Sequence, residues 1–243
     1  MSIERYAIIG DIHANWDALE AVLADAESRG VTDYVCVGDI VGYNADPVRC
    51  LEKIQSMDCV VVKGNHDHYC SNDMPLHDFH PDAGSVVAWT RDQLSAEQMQ
   101  YLRDLPLVSR FAGVTVVHST LDMPDKWGYV FDPLEADAHF SYQTTPCCVY
   151  GHTHVPVVFE RQHSVVRHAF TRVKVTLGRR YFINVGSVGQ PRDRDPRAAY
   201  TIYEPKARTF ELIRVTYDIA RAQARIREAK LPDRLAQRLS LGK

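Results

Sequence analysis

Residues able to bind a metal ion follow five short apolar runs along the chain. They are Asp11 and His13 after YAIIG, Asp39 after YVCVG, Asn65, His66 and Asp67 after CVVVKG, His118 after VTVV, and His152 and His154 after CCVYG. Each motif alone fits an ordinary turn or a buried histidine. Their common position, at the end of an apolar run, indicates one shared site, because side chains at the carboxyl ends of neighbouring strands can converge.

The side-chain types narrow the choice of metal. Carboxylates, imidazoles and an amide oxygen suit borderline cations such as Mn²⁺, Fe or Zn²⁺. None of the six cysteines stands at the ligand positions that follow these runs, which argues against a structural cysteine–zinc site. The candidates are too many for one ion, whereas two ions that share a carboxylate would use them all. We therefore expect two divalent metal ions, with Mn²⁺ as the ion that supports activity in vitro.

The elements that must position these residues follow from the apolar patterns. Runs at 6–10, 34–38 and 59–64 alternate with helical patterns at 15–29 and 46–55, which predicts a largely parallel sheet in an α/β fold. The later pattern predicts helices at 82–104 (with a new start near Ser95) and 133–142, an antiparallel pair around 112–113, strands within 156–185, a hairpin at 199–215, and a helical tail at 218–239 broken near Pro232. We interpret residues 1–243 as a single domain.

Composition sets broad limits on function. The chain has 243 residues, of which 45% are hydrophobic and 24% charged, as in ordinary globular proteins. We find neither an apolar stretch of about 18 residues, as a membrane span needs, nor a signal peptide. The six cysteines form no CxxC pair, which favours a cytoplasmic protein with free thiols.

The motifs DIH, GDIVG, GNHD, a strand-end histidine and GHTH, in this order, resemble those of the calcineurin-like metallophosphoesterases. The resemblance covers about residues 5–190. It implies a four-layer α/β/β/α sandwich with two mixed sheets. By motif, Asp11, His13 and His154 would bind one metal, Asn65, His118 and His152 the other, and Asp39 would bridge them. His66 would be the catalytic histidine and Asp67 its orienting partner. One departure is that His118 lies in VVHS, without the Gly-His pair of some members.

The resemblance also implies an activity. Two metals would activate a bridging hydroxide for in-line attack on phosphorus, and His66 would protonate or stabilise the departing oxygen. The stretch NVGSVGQPR resembles a loop of small prokaryotic members related to diadenosine tetraphosphate hydrolases. We therefore expect hydrolysis of a phosphodiester or nucleotide polyphosphate, with Asn15, Tyr43 and Arg192 at the substrate.

Three alternatives remain open. A phosphomonoesterase stays possible, but a protein phosphatase is disfavoured because GDIVGYNADP lacks the Asp-Arg pair of GDxVDRG, the usual motif of protein Ser/Thr phosphatases. A nuclease is disfavoured because the basic tail carries no interleaved aromatic residues, so a nucleic-acid partner is not expected. A non-catalytic scaffold is disfavoured because every motif position is filled.

The loops at 70–82 and 122–131 should shape the substrate pocket. Within the second loop, Trp127 or Tyr129 could stack a base, although packing is the plainer interpretation. The expected ligand is a small phosphorylated molecule, with nucleotides among the candidates.

Overall fold

The computed structural model describes residues 4–76 and 81–243 of the chain. Part of the predicted pocket loop, residues 77–80, lies outside the described residues. The strands are β1 (Tyr6–Ile9), β2 (Asp33–Cys36), β3 (Val60–Val61), β4 (Val108–Phe111), β5 (Val114–Val117), β6 (Cys147–Tyr150), β7 (Val157–Arg161), β8 (Val165–Ala169), β9 (Arg172–Lys174), β10 (Arg180–Asn184), β11 (Ala198–Glu204) and β12 (Thr209–Val215).

Eight α-helices surround these strands in the described part of the chain. They are α1 (Trp16–Ser28), α2 (Pro47–Gln55), α3 (Asn65–Ser71), α4 (Pro81–Gln93), α5 (Ala96–Asp104), α6 (Pro133–Phe140), α7 (Ile219–Glu228) and α8 (Asp233–Leu241). None of them is long and apolar enough to cross a bilayer.

The strands form two six-stranded sheets. The order is β3-β2-β1-β11-β12-β9 in the first and β4-β5-β6-β10-β7-β8 in the second. Each sheet is mixed. Strands β1, β2 and β3 are parallel in the first, and β5, β6 and β10 are parallel in the second, while the flanking strands pair antiparallel. The predicted hairpin at 199–215 is confirmed as β11 and β12, which pair antiparallel.

Side-chain alternation along the strands builds four layers. In β1, Ile8 packs into a cluster between the sheets with Val149 and Ile183, whereas Ile9 faces Leu19 of α1 on the outer side. This period of two buries both faces of each central strand. On the far side of the second sheet, α6 places Phe140 in a third apolar cluster with strand residues. The expected α/β/β/α sandwich is therefore confirmed.

Helix α3 is an element that the sequence patterns did not predict. Strand β3 is only two residues long, and the GNHD motif begins a helix instead of an extended loop. The Asp67 side chain accepts a hydrogen bond from the backbone N–H of Gly64 at 3.0 Å, as in a helix cap. Asp67, three residues after Gly64, is a capping signal that the sequence shows. The same GNHD residues also suit metal binding, and the sequence patterns favoured that interpretation.

The C-terminal helices pack against α1, α4 and the loop after β2. Residues of α7 and α8 form an apolar cluster that contacts Tyr43 and Ala45 of that loop. The predicted break near Pro232 is confirmed, because α7 ends at Glu228 and α8 begins at Asp233. Arg221 contacts the buried Asp17 carboxylate, and Arg225 pairs with Asp17 at 3.3 Å. Arg221 and Arg225 of the tail therefore form ion pairs with a carboxylate of the same chain.

Candidate metal centre

All seven predicted metal ligands come together at one edge of the two sheets. The loop after β1 is tied to the loop after β2 by backbone hydrogen bonds from Asp11 to Gly38 (3.0 Å) and from His13 to Asp39 (2.9 Å). The backbone bends sharply at five of the seven residues, which have positive φ: Asp11, His13, Asp39, His152 and His154. Non-glycine residues rarely adopt this conformation, and it concentrates at functional sites.

The first group of donors contains Asp11, His13, Asp39 and His154, all buried. The Nε2 atoms of His13 and His154 are 3.1 Å apart. Nε2 of His154 is 3.3 Å from Oδ1 of Asp11, and Nε2 of His13 is 3.5 Å from Oδ2 of Asp39. Donors bound to one ion at about 2.0–2.2 Å lie about 3–3.5 Å apart, so these separations fit a common cation.

The second group contains Asp39, His118 and His152. Nε2 of His118 is 3.3 Å from the same Oδ2 of Asp39 and 3.1 Å from Oδ1 of Asn65. The rings of His118 and His152 are 5.0 Å apart, centre to centre. Asp39 therefore belongs to both groups, and its Oδ2 atom lies between them.

Hydrogen bonds fix which nitrogen each histidine can offer to a metal. A carbonyl oxygen only accepts, so the ring nitrogen facing it carries the proton. Three rings donate from Nδ1: His13 to Val41 (3.2 Å), His118 to Val37 (2.8 Å) and His154 to Gln190 (2.6 Å). His152 instead donates from Nε2 to Trp127 at 2.8 Å. In their neutral forms, the first three therefore present the Nε2 lone pair, and His152 presents that of Nδ1.

These lone pairs point at other electron-rich atoms, which is unfavourable unless a cation or proton lies between them. Burial lowers the pKa of His152 to about 3 and holds the pKa values of His13 and His154 well below the usual range, so these rings stay neutral. For His118, burial opposes protonation but Asp39 outweighs it and raises the pKa to about 9. A metal would replace that proton. The donor set thus fits divalent cations.

Asp67 lies beside the site but contacts backbone rather than the His66 ring. Its carboxylate accepts hydrogen bonds from the backbone N–H groups of Asp39 and Ile40, both at 2.8 Å. The expectation that Asp67 orients the His66 imidazole therefore needs correction, because this carboxylate organises the loop that carries Asp39. Burial raises the pKa of Asp67 to about 7, and the negative Asp39 adds to this effect.

His66 is held by its backbone and by close packing. Its N–H donates to Oδ1 of Asp39 at 2.8 Å. Its ring centre lies 4.7 Å from that of His13 and 4.3 Å from that of Tyr43. Nδ1 is buried without a hydrogen-bond partner, which leaves Nε2 as the nitrogen able to reach a ligand. A side chain at Gly42 would overlap the His66 imidazole, so the glycine of GDIVG makes room for this ring.

The three predicted substrate residues occupy different environments. Asn15 is buried and caps α1: its Oδ1 accepts from the N–H of Ala18 at 3.2 Å, while Nδ2 donates to the carbonyl of Gly189 at 2.9 Å. These contacts engage both polar atoms of the side chain, and Nδ2 also lies 3.4 Å from the Tyr217 hydroxyl, so they give the predicted substrate contact at Asn15 no support. Tyr43 and Arg192 lie at the site, with the Arg192 guanidinium 5.6 Å from the Tyr43 ring centre.

Sequence reasoning missed the residues that support the GHTH turn. Asn184 is buried and donates from Nδ2 to the carbonyl of Gly151 at 2.5 Å and to Oγ1 of Thr153 at 3.0 Å. Ser187 donates to the carbonyl of Asp11 at 2.9 Å. The signal was the polar composition of NVGSVGQ directly after a strand.

Comparison with known proteins agrees with this geometry. Residues 5–208 match the model of the calcineurin-like phosphoesterase superfamily domain. The chain is 36% identical over 241 residues to an uncharacterised protein of Methanocaldococcus jannaschii, covering 98% of each chain. It is 42% identical to a metallophosphoesterase of Sphaerobacter thermophilus, with a TM-score of 0.90 and complete coverage of both chains. A hypothetical protein of Pyrococcus horikoshii shares the fold at 19% identity, with a TM-score of 0.79 and 98% of each chain covered. The chain therefore belongs to the calcineurin-like phosphoesterase superfamily.

Proposed function

We propose that this protein is a dinuclear-metal-dependent phosphoesterase that hydrolyses phosphodiester or nucleotide-polyphosphate bonds. The observation that carries the proposal is the position of Asp39, whose Oδ2 atom lies 3.5 Å from Nε2 of His13 and 3.3 Å from Nε2 of His118. One carboxylate oxygen thus serves two groups of buried donors. In this proposal Asp11, His13 and His154 hold one ion, Asn65, His118 and His152 hold the other, and Asp39 bridges them.

Divalent cations held by these residues would supply Lewis-acid stabilisation of a phosphoryl group and would lower the pKa of a water molecule bound to them. Around them, each side chain has a defined task. Nε2 of His66 donates a hydrogen bond or proton to the departing ester oxygen. The Arg192 guanidinium pairs with a phosphate oxygen that is not bound to a metal ion.

The supporting residues keep this arrangement rigid. Asp67 fixes the loop that carries Asp39 through the N–H groups of Asp39 and Ile40, and it ties this loop to the start of α3 through the N–H of Gly64. Each ligand histidine is oriented by a carbonyl partner, a type of contact that tunes metal affinity about 10–100-fold. Preorganisation of this kind lowers the cost of reaching the reactive geometry.

The test is metal-dependent turnover of a chromogenic diester and a chromogenic monoester by metal-stripped and Mn²⁺-, Fe²⁺- or Zn²⁺-reconstituted protein. We expect no turnover after chelation, recovery after reconstitution, and faster cleavage of the diester. His66→Ala should lower kcat about 10²- to 10⁴-fold while metal content stays unchanged. His163→Ala, which removes an exposed histidine, is the matched control.

Full activity of verified His66→Ala protein would refute the assignment of that residue. Absence of turnover of every phosphoester with all three metals would refute the enzymatic proposal and favour a scaffold. Preference for the monoester would replace the diesterase part of the proposal with a phosphomonoesterase.

A further inference from the structure

An aromatic segment borders the second group of metal ligands. The carbonyl of Trp127 accepts the hydrogen bond from Nε2 of His152. The Trp127 ring packs edge-on to His118, with ring centres 6.0 Å apart, and lies 5.9 Å from that of His68. Of the two aromatic residues that the sequence proposed for base stacking, Trp127 is therefore a packing residue that helps to position ligands.

The next two aromatic residues have a different relation to the site. The Tyr129 ring stacks on the His152 ring, at 4.1 Å between centres and 25° between planes. The Phe131 ring lies parallel to Tyr129, at 5.7 Å and 6°. Tyr129 is 51% exposed and Phe131 54% exposed. We call these two rings the aromatic shelf. It begins directly on a metal ligand and extends outward.

The backbone holds the shelf in place. Val130, which lies between Tyr129 and Phe131 in the sequence, is buried in the apolar cluster that contains Phe140 of α6. The N–H of Phe131 donates to Oε2 of Glu135 at 2.6 Å, and Asp132 caps the same helix. The rings are therefore held outward by a fixed backbone, so a ligand would not have to order this segment on binding. Contiguous exposed apolar surface, in contrast to single scattered side chains, is a mark of binding sites.

The charged groups of the site complement the shelf. Arg192 lies over Tyr43, and Tyr43 packs against His66. The shelf instead adjoins His152. A ligand whose phosphoryl group lies at the candidate metal ligands (the donor cluster) can thus place a planar group on the aromatic shelf. Its anionic oxygens then face Arg192. A pocket of about 210 Å³, bordered by Met123 and Lys126, opens beside Tyr129 and offers space for atoms beyond the ring.

We propose that the aromatic shelf binds the nucleobase of the substrate by stacking, so that the natural substrate is a nucleotide-bearing phosphoester. This inference rests on the proposed function, because it assumes that the phosphoryl group lies at the donor cluster. Stacking tolerates all bases, since each has a flat π-face. The shelf therefore distinguishes nucleotides from sugar phosphates and phosphoproteins, and not one base from another.

The test compares two ligands that differ by the base alone. The dissociation constants of AMP and ribose 5-phosphate are measured by titration calorimetry on Mn²⁺-loaded protein, with ligand integrity verified by chromatography. We expect AMP to bind roughly 5- to 150-fold more tightly, the range that one stacked base supplies. Phe131→Ala should remove most of this preference and leave the affinity for ribose 5-phosphate unchanged. Phe131→Trp should preserve it.

Tyr142→Ala, which removes a similarly exposed tyrosine beyond α6, should keep the wild-type preference. Tyr129→Ala should lose the preference too, with metal content measured because Tyr129 contacts His152. Equal affinity of the wild-type protein for both ligands, or an unchanged preference in Phe131→Ala, would overturn the proposal. Binding reports on the shelf even if no phosphoester is hydrolysed, so this failure is separable from failure of the proposed function.

Discussion

Asp39→Asn is the substitution that most directly tests whether one carboxylate serves two metal sites. Asparagine has nearly the same shape, and its carbonyl oxygen can still accept the N–H of His66, now 2.8 Å from Oδ1. Its amide NH₂ then takes the position of Oδ2, which faces the Nε2 atoms of His13 and His118. A ligand oxygen is thus replaced by a group that cannot bind a cation.

The magnitude follows from the lost charge. A unit charge about 4 Å from another contributes about 4 kcal/mol at an effective dielectric constant of about 20, and this is a lower bound here because the cation is divalent and its ligand is closer. That corresponds to roughly a 10³-fold loss of affinity, and it should act on both sites because Oδ2 adjoins both groups. In contrast, Asn65→Ala removes a neutral donor beside His118 and should weaken one site only.

The assay is metal stoichiometry by elemental analysis and titration calorimetry after chelation and reconstitution with Mn²⁺. We expect two ions in the wild-type protein, fewer than one in Asp39→Asn at the same free Mn²⁺ concentration, and at least one in Asn65→Ala. Asp73→Asn, at a fully exposed carboxylate, controls for the change of charge. Circular dichroism in chelator verifies folding. Two ions bound with wild-type affinity by folded Asp39→Asn protein would refute the bridging role.

Three further substitutions probe the supporting structure. Gly42→Ala would place Cβ against the His66 ring, so kcat should fall at least about 10-fold with metal content unchanged; equal kcat would contradict this packing. Asp67→Ala should lower the free energy of unfolding by about 1–3 kcal/mol, because backbone N–H groups of Asp39 and Ile40 lose their acceptor. Urea denaturation measures the change. An unaltered midpoint would show that these N–H groups find other partners. Phe140→Ala should destabilise the protein by about 3–5 kcal/mol, because the ring is fully buried; the same assay applies, and full metal binding in the folded variant would separate core packing from the site.

The basic C-terminal tail bears on the nuclease alternative. Arg221 and Arg225 contact Asp17, whose side chain is only 1% exposed, and Arg225 also pairs with Asp46 at 3.2 Å. A phosphate backbone would have to compete with these carboxylates for the guanidinium groups. The tail is thus explained by its attachment to α1 and to the loop after β2, and a nuclease gains no support from it.

The sequence by itself determined the fold class and identified the residues of the candidate metal centre. Strand-end motifs can be recognised in sequence because each depends on local chemistry: a short apolar run, a tight turn and a ligand side chain at its end. Asp11, Asp39 and His118 are far apart in the chain, but parallel strand order brings such ends to one edge. Continuous apolar runs such as YAIIG likewise fit strands that are buried on both faces.

Only the tertiary structure decided what the individual side chains contact. Asn15 and Asp67 are within or next to a motif, and Tyr129 is in a predicted pocket loop. No local pattern distinguishes a side chain that supports the fold from one that faces a ligand. The outcome depends on distant partners: Gly189 for Asn15, the loop after β2 for Asp67, and His152 for Tyr129. Hydrogen-bond geometry at the site, including the choice of ring nitrogen on each histidine, is set by the same long-range packing.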